Sequence, residues 1–279
     1  MTGTLLTSLT SAPSILPKVR FGLEPRFTAA GLVIAMSLAV TVPAMLLDAR
    51  LFQGESIWIK PIKFQVALMV YLSTLAFFAR FLPDGMTDRP LYKLFAGVVV
   101  FAIFAELAWI GWAAMFSTAS YFNTTIPFMV AIYPVMGVLA IILTAASLVY
   151  GIAIWRNPAG IANPALRLSV ALGLILTFVL TVVVAGVLAG KTGHLMGTPE
   201  FGVKVPLMGW SREVGDLRVA HFFATHAMHF LPIVGIATLA LTRRGKLALG
   251  IVWGASVGYA AFAGFTFWQA LNGQPFLPA

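Results

Sequence analysis

Residues 209–232 read GWSREVGDLRVAHFFATHAMHFLP. The stretch begins as a charged loop and turns into an apolar helix that carries His221, His226 and His229, three of the four histidines. Ionisable side chains at bilayer depth are costly, so they mark a functional site by default. Reading this helix as a membrane span decides the fold. The rest of the chain then has to form a bundle that holds it and supplies its polar partners.

Composition supports that reading. Of 279 residues, 60% are hydrophobic and 10% charged, and the mean hydropathy is +0.94. Soluble domains carry about 25% charged residues, so a water-soluble fold is excluded. Apolar runs at 27–47, 57–79, 92–115, 125–155, 165–190, 217–242 and 247–271 each reach the length of a bilayer crossing. They predict an all-α polytopic bundle of seven transmembrane helices. The first run is too long for the apolar core of a secretory signal, so it reads as a retained helix. In the fourth, Pro127 and Pro134 predict a turn into the helix and a kink. The expected organisation is a tail (1–26), the seven-helix domain (27–271) and a short C-terminal tail (272–279). No stretch remains for a separate soluble domain. Cysteine is absent, which excludes disulfides, thiolate nucleophiles, iron–sulfur clusters and c-type haem attachment.

Charge sets an expected orientation. The N-terminal tail and the second, fourth and sixth loops hold eleven Lys and Arg residues, and the other side holds seven. By the positive-inside rule the N-terminus is cytoplasmic and the C-terminus outside. The net charge of +9 therefore reads as loop asymmetry in a bacterial-type inner (plasma) membrane protein, with no nucleic-acid partner.

In that orientation the unusual polar residues fall in the outer half. Helix two enters as SIWIKPIKFQ, with Lys60, Lys63 and Gln65 around Pro61. Helix three carries Glu106 within FAIFAELAWIGW, about 13 Å from its outer end at 1.5 Å per residue. The third loop, STASYFNTT, is uncharged, rich in hydroxyls and contains Asn123. Helix six brings Asp216, Arg218 and His221, then His226 and His229 deeper. No other charge lies near Glu106 on its own helix, so its partner must come from elsewhere, with Lys63 and Arg218 the expected candidates. Interfacial snorkelling is the plain explanation of Lys60 and Lys63, and a packing ion pair that of Glu106.

At about 100° per residue, Arg218, His221, Thr225 and His229 share an arc of roughly 80°, with His226 on its flank. Such a stripe should face the bundle interior. His221 and His229 are about 12 Å apart along the axis, too far for one ion. His226 and His229 could share a metal with a further ligand, the basis of a metal-dependent hydrolase reading. A b-type haem held by His221, His226 or His229 would need a second axial ligand from another helix. The only remaining histidine is His194, in a loop, so Met69, Met115, Met129 or Met136 would have to serve. Proton or anion handling needs no cofactor. Imidazole titrates near neutral pH, a buried carboxylate beside a cation can exchange partners, and Arg218 could grip an anion bidentately beside Lys60 and Lys63.

P-loop, nucleophile-elbow and dinucleotide signatures are absent, and helix seven has no lysine for a retinal Schiff base. In helix seven Gly250, Gly254, Ala255, Gly258 and Ala261 recur at a spacing that predicts close helix packing. The segments WIKPIKF (58–64) and GDLRVAHFFATHAMHFLP (215–232) resemble an uncharacterised family of bacterial multipass membrane proteins. That resemblance implies that the two segments belong together and brings no activity.

The expectation is therefore a multipass protein that handles protons or a small anionic solute at Glu106, Arg218, His221, His226, His229, Lys60, Lys63, Asn123 and Asp216. The alternatives are a haem-binding redox protein and a metal-dependent hydrolase. The lipid bilayer is the expected partner, with a homo-oligomer or a membrane-complex subunit as possible assemblies.

Overall fold

A computed structural model describes residues 23–123 and 126–279. Among them are seven long helices: α1 (Pro25–Leu47), α2 (Ile59–Phe78), α3 (Pro90–Met115), α4 (Pro127–Trp155), α5 (Pro164–Ala189), α6 (Leu217–Leu241) and α7 (Gly245–Leu271). All are long and apolar enough to cross a membrane, so the chain is a multipass integral membrane protein. Most of the tail expected at 1–26 lies outside the described residues.

Local chemistry explains the helix starts. Four helices begin with a proline, whose fixed φ suits the first turn and whose missing N–H is no loss there. Asn163 accepts from the N–H groups of Ala165 and Leu166, both at 3.0 Å. Asp216 caps α6 through Arg218 N–H at 3.0 Å. Pro127 opens α4, and that helix runs on as one element through Pro134.

Packing runs α1–α2–α3–α4 and then, across α4 and α5, to α5–α6–α7, with the α5–α6 contact the most extensive. Lipid offers little hydrophobic drive between helices, so close approach and buried hydrogen bonds must hold them together. Gly173 and Gly235 allow that approach. A β-carbon at Gly173 would lie 2.9 Å from Ala227 O, and one at Gly235 would lie 1.9 Å from Ser169 Oγ. Met228 N–H also donates to Thr177 Oγ1 on α5 at 2.9 Å. The packing expected of α7 is not found at its glycines: Gly250, Gly254 and Gly258 have nothing within 4 Å of where a β-carbon would be. All three are exposed on the outside of the bundle; the helix glycines that meet a neighbouring helix lie in α1, α4, α5 and α6.

Two short hairpins shape the face where α2 and α6 begin. Strands β1 (Leu51–Phe52) and β2 (Glu55–Ser56) pair around Gln53 and Gly54. Both have positive φ, the pattern of a two-residue type I′ turn. Strands β3 (Leu195–Met196) and β4 (Gly215–Asp216) set His194 beside the start of α6, where Leu217 N–H donates to His194 O at 2.9 Å. The C-terminal residues fold over the same loop. Ala279 N–H donates to Arg212 O at 3.1 Å, and Phe276 packs against Trp210 and Phe223.

Candidate functional site

The polar residues of this face form three groups. In the first, Glu106 of α3 is 2% exposed. Its Oε2 accepts a short hydrogen bond from the hydroxyl of Tyr121 in the α3–α4 loop, and its Oε1 is buried with no partner. The Tyr121 ring carries the Lys60 ammonium, 4.2 Å from its centre, a cation–π contact. Among the described residues no carboxylate lies within 4.0 Å of Lys60. Burial first, and then the charge of Glu106, push the Tyr121 phenol well above its usual range. It therefore stays a donor at any physiological pH. Trp109 holds the loop by donating to Ser120 O at 2.7 Å.

The expected partners of Glu106 are elsewhere. Lys63 donates to Met208 O at 3.3 Å. Arg218 is clamped by Asp216, with Nε 3.0 Å from Oδ1 and NH2 2.6 Å from Oδ2, and its NH2 also donates to Gly209 O at 2.6 Å. Asp216 is 1% exposed and takes Ser211 N–H at 3.0 Å as well. Cap and ion pair are thus one unit, and most of the guanidinium fork expected to grip an anion is already engaged. Gln65 turns away to α1, between Thr41 and Ser37. Asn123 organises its own loop, donating to Thr118 Oγ1 at 3.0 Å and accepting from Ile126 N–H at 3.1 Å.

Lys63, Asp216 and Arg218 thus form the second group, around residues 208–211 of the α5–α6 loop, the mouth loop. Lys204 pairs with Glu55 at 2.6 Å, and that hydrogen bond holds the Glu55 carboxyl below its ordinary range, with help from the charges of Lys63 and Arg218. Burial, and then the Arg218 charge, lower the His194 imidazole to about 4. Neutral at physiological pH, it adds no charge to the mouth.

The third group is the histidine face. His226 Nδ1 lies 2.8 Å from Phe222 O. A carbonyl only accepts, so Nδ1 carries the hydrogen and Nε2 has a bare lone pair. His229 Nε2 lies 3.0 Å from Thr74 Oγ1 on α2, and that hydroxyl already donates to Val70 O at 2.8 Å. His229 must then donate from Nε2, which leaves Nδ1 bare, buried and unpartnered. The two rings are 5.3 Å apart. His221 Nδ1 is likewise buried without a partner. His229 is the thirteenth residue of the 25-residue α6, midway along the helix. It borders an open groove of about 500 Å³ between α2 and α6, with Met69, Thr74, Met228 and Pro232.

Sequence reading missed Tyr121 and Thr74. Tyr121 sits in the hydroxyl-rich loop, but nothing in the sequence pairs it with Glu106. Thr74 reads as an ordinary hydroxyl in an apolar span. Among the described residues no group of three or more His, Asp or Glu side chains converges as metal ligands. No family model matches the chain, and no curated protein or solved structure matches it.

Proposed function

We propose that this is a transporter-like protein of a plasma membrane, with its N-terminus in the cytoplasm, that handles protons or a small anionic solute at the polar site in the outer half of its bundle. One observation carries the reading: Glu106 has one oxygen held by Tyr121 and the other unpaired, while the nearest cation, Lys60, rests on the Tyr121 ring. Buried charges are ordinarily paired. A carboxyl left half-satisfied can take a proton on Oε1 while Tyr121 keeps donating to Oε2. Loss of that proton creates a charge that draws Lys60 from the ring. Proton occupancy is thereby coupled to the position of the Lys60 ammonium.

Uptake driven by an imposed pH gradient, in proteoliposomes loaded with a pH-sensitive dye, tests this. Wild type should move protons with or without a co-solute, and Glu106→Gln should reduce the flux at least tenfold. Flux unchanged from wild type in both Glu106→Gln and His229→Ala vesicles would sink the proposal.

The histidine pair supports a second reading, a metal site of hydrolase type. Zn–N bonds of ~2.1 Å would bring the ring centres of two neighbouring ligands to roughly 5 Å, close to the 5.3 Å observed. Both non-ligating N–H groups are held by acceptors, as metal-bound histidines require. Metal analysis of the purified protein decides it, since fewer than about one ion per ten chains excludes a resident metal.

A further inference from the structure

We propose that Lys63 and Arg218 form a docking site for a small oxyanion beneath Gly209, and that residues 206–210 are the lid this anion releases. The inference rests on the reading of this face as a solute site and gives the solute a chemical class. Two cations converge on one residue of the loop. Lys63 Nζ and Arg218 NH1 lie 3.4 Å and 3.9 Å from the point a Gly209 β-carbon would occupy. They are no farther from each other than the sum of those distances.

Their partners do not balance this charge. Among the described residues Lys63 makes no ion pair, and its one hydrogen bond is to the neutral carbonyl of Met208 at 3.3 Å. Arg218 spends Nε and NH2 on Asp216 and Gly209 O, which leaves NH1 toward Lys63. Counted with the neighbouring Lys204–Glu55 pair, three cations face two carboxylates and leave a net positive pocket, and positively lined clefts concentrate anions. Bonds from a cation to an anionic oxygen are roughly twice as strong as those to a neutral one. The carbonyls of Met208 and Gly209 stand where two oxygens of a sulfate, phosphate or carboxylate would bind.

The loop is built to let go. Leu207 is 95% exposed and holds φ +63, and Gly209 holds φ +72. For leucine that left-handed conformation is unfavourable, and strain of this kind gathers at elements that switch. The turn closes on itself through Gly209 N–H to Val205 O and Val205 N–H to Trp210 O, both 2.8 Å. It can therefore swing as a unit once Lys63 and Arg218 release its carbonyls. Trp210, the last residue of this segment and 8% exposed against Phe222 and Phe223, reports the movement.

The test is a sodium sulfate titration of the full-length protein in phosphatidylcholine nanodiscs at constant ionic strength. It is read as the emission difference between wild type and Trp210→Phe. A saturable change, competed by phosphate, is expected in wild type. Lys63→Gln should weaken it at least tenfold, whereas Gly209→Ala, which strains the closed loop at φ +72 and puts a methyl beside Lys63 Nζ, should tighten it. Lys246→Gln, at the start of α7 and away from this loop, should leave it intact. A response that appears only with phosphatidylglycerol assigns the same oxyanion chemistry to a lipid headgroup. No saturable change in either lipid, or an unchanged affinity in both Lys63→Gln and Gly209→Ala, overturns the proposal. A flat titration alongside Glu106-dependent proton flux removes the anion site and leaves the proton reading standing. A normal titration with flux indifferent to Glu106 does the reverse.

Discussion

Tyr121 donates its hydroxyl to the carboxylate of Glu106 from a loop, across the end of α3. The bond places a buried acid of the polar face under the control of a loop between two spans. The same ring supports Lys60, so one aromatic side chain separates an anion from the nearest cation.

Removing that hydroxyl should be felt twice. Tyr121→Phe leaves Glu106 Oε2 buried without a donor, at about 1–3 kcal/mol. The thermal midpoint in detergent should fall, and proton flux should fall with it. Glu106→Gln keeps an acceptor for Tyr121 and should lose flux while holding most of the stability. Equal thermal losses in the two variants would show that the Tyr121 bond has no special place.

His194 gives a pH dependence with a definite sign. Its imidazole titrates near 4 in the folded chain and near 6.5 when unfolded. Between those values the unfolded chain binds a proton that the folded chain does not. Stability should therefore fall as pH drops from about 6.5 to 4, at up to about 1.4 kcal/mol per pH unit. The His194→Gln midpoint should vary less over this window than that of wild type. Parallel curves would remove His194 as the cause.

Glu213 pins residues 200–203 of the mouth loop. Its carboxylate accepts from the N–H groups of Glu200 at 2.7 Å, Phe201 at 2.8 Å and Val203. These bonds, led by those from Phe201 and Val203, hold its carboxyl below the ordinary range. The pinning is present at neutral pH and lost as acid protonates the group. Glu213→Ala should speed tryptic cleavage after Lys204 severalfold, with the helical circular dichroism unchanged.

Glycine substitutions should separate interface from lipid face. Gly235→Ala would force a β-carbon to 1.9 Å from Ser169 Oγ, and overpacking of this kind costs about 1–3 kcal/mol. Gly254→Ala meets nothing within 4 Å and should leave the thermal midpoint in place. A larger loss at Gly254 would contradict the packing of α5 on α6.

The seven spans were legible in the sequence because each rests on a local property, a run of apolar residues as long as the bilayer is thick. Their bounds fall within two residues of the helices observed. The clustering of polar residues at one face was legible for the same reason, since depth along a helix is only a residue count. Partnership was not. Glu106 looked toward Lys63 and Arg218 because charge alone ranks cations above a tyrosine. Yet Arg218 finds Asp216 two residues away, at the cap of its own helix, and Lys63 turns to the mouth loop.

Helix rotation explains the rest. Spacing groups small residues on α7 and polar ones on α6 but says nothing about which way either face turns. Packing against α5 decided that Gly173 and Gly235 would be buried at contacts and that Gly254 would not. The meeting of α2 with α6 put Thr74 against His229 and so chose its tautomer. Apolar run lengths are a property of the chain itself and determined a seven-span membrane protein. The side chains that meet are a property of how the helices rotate against one another, and only the tertiary structure decided those.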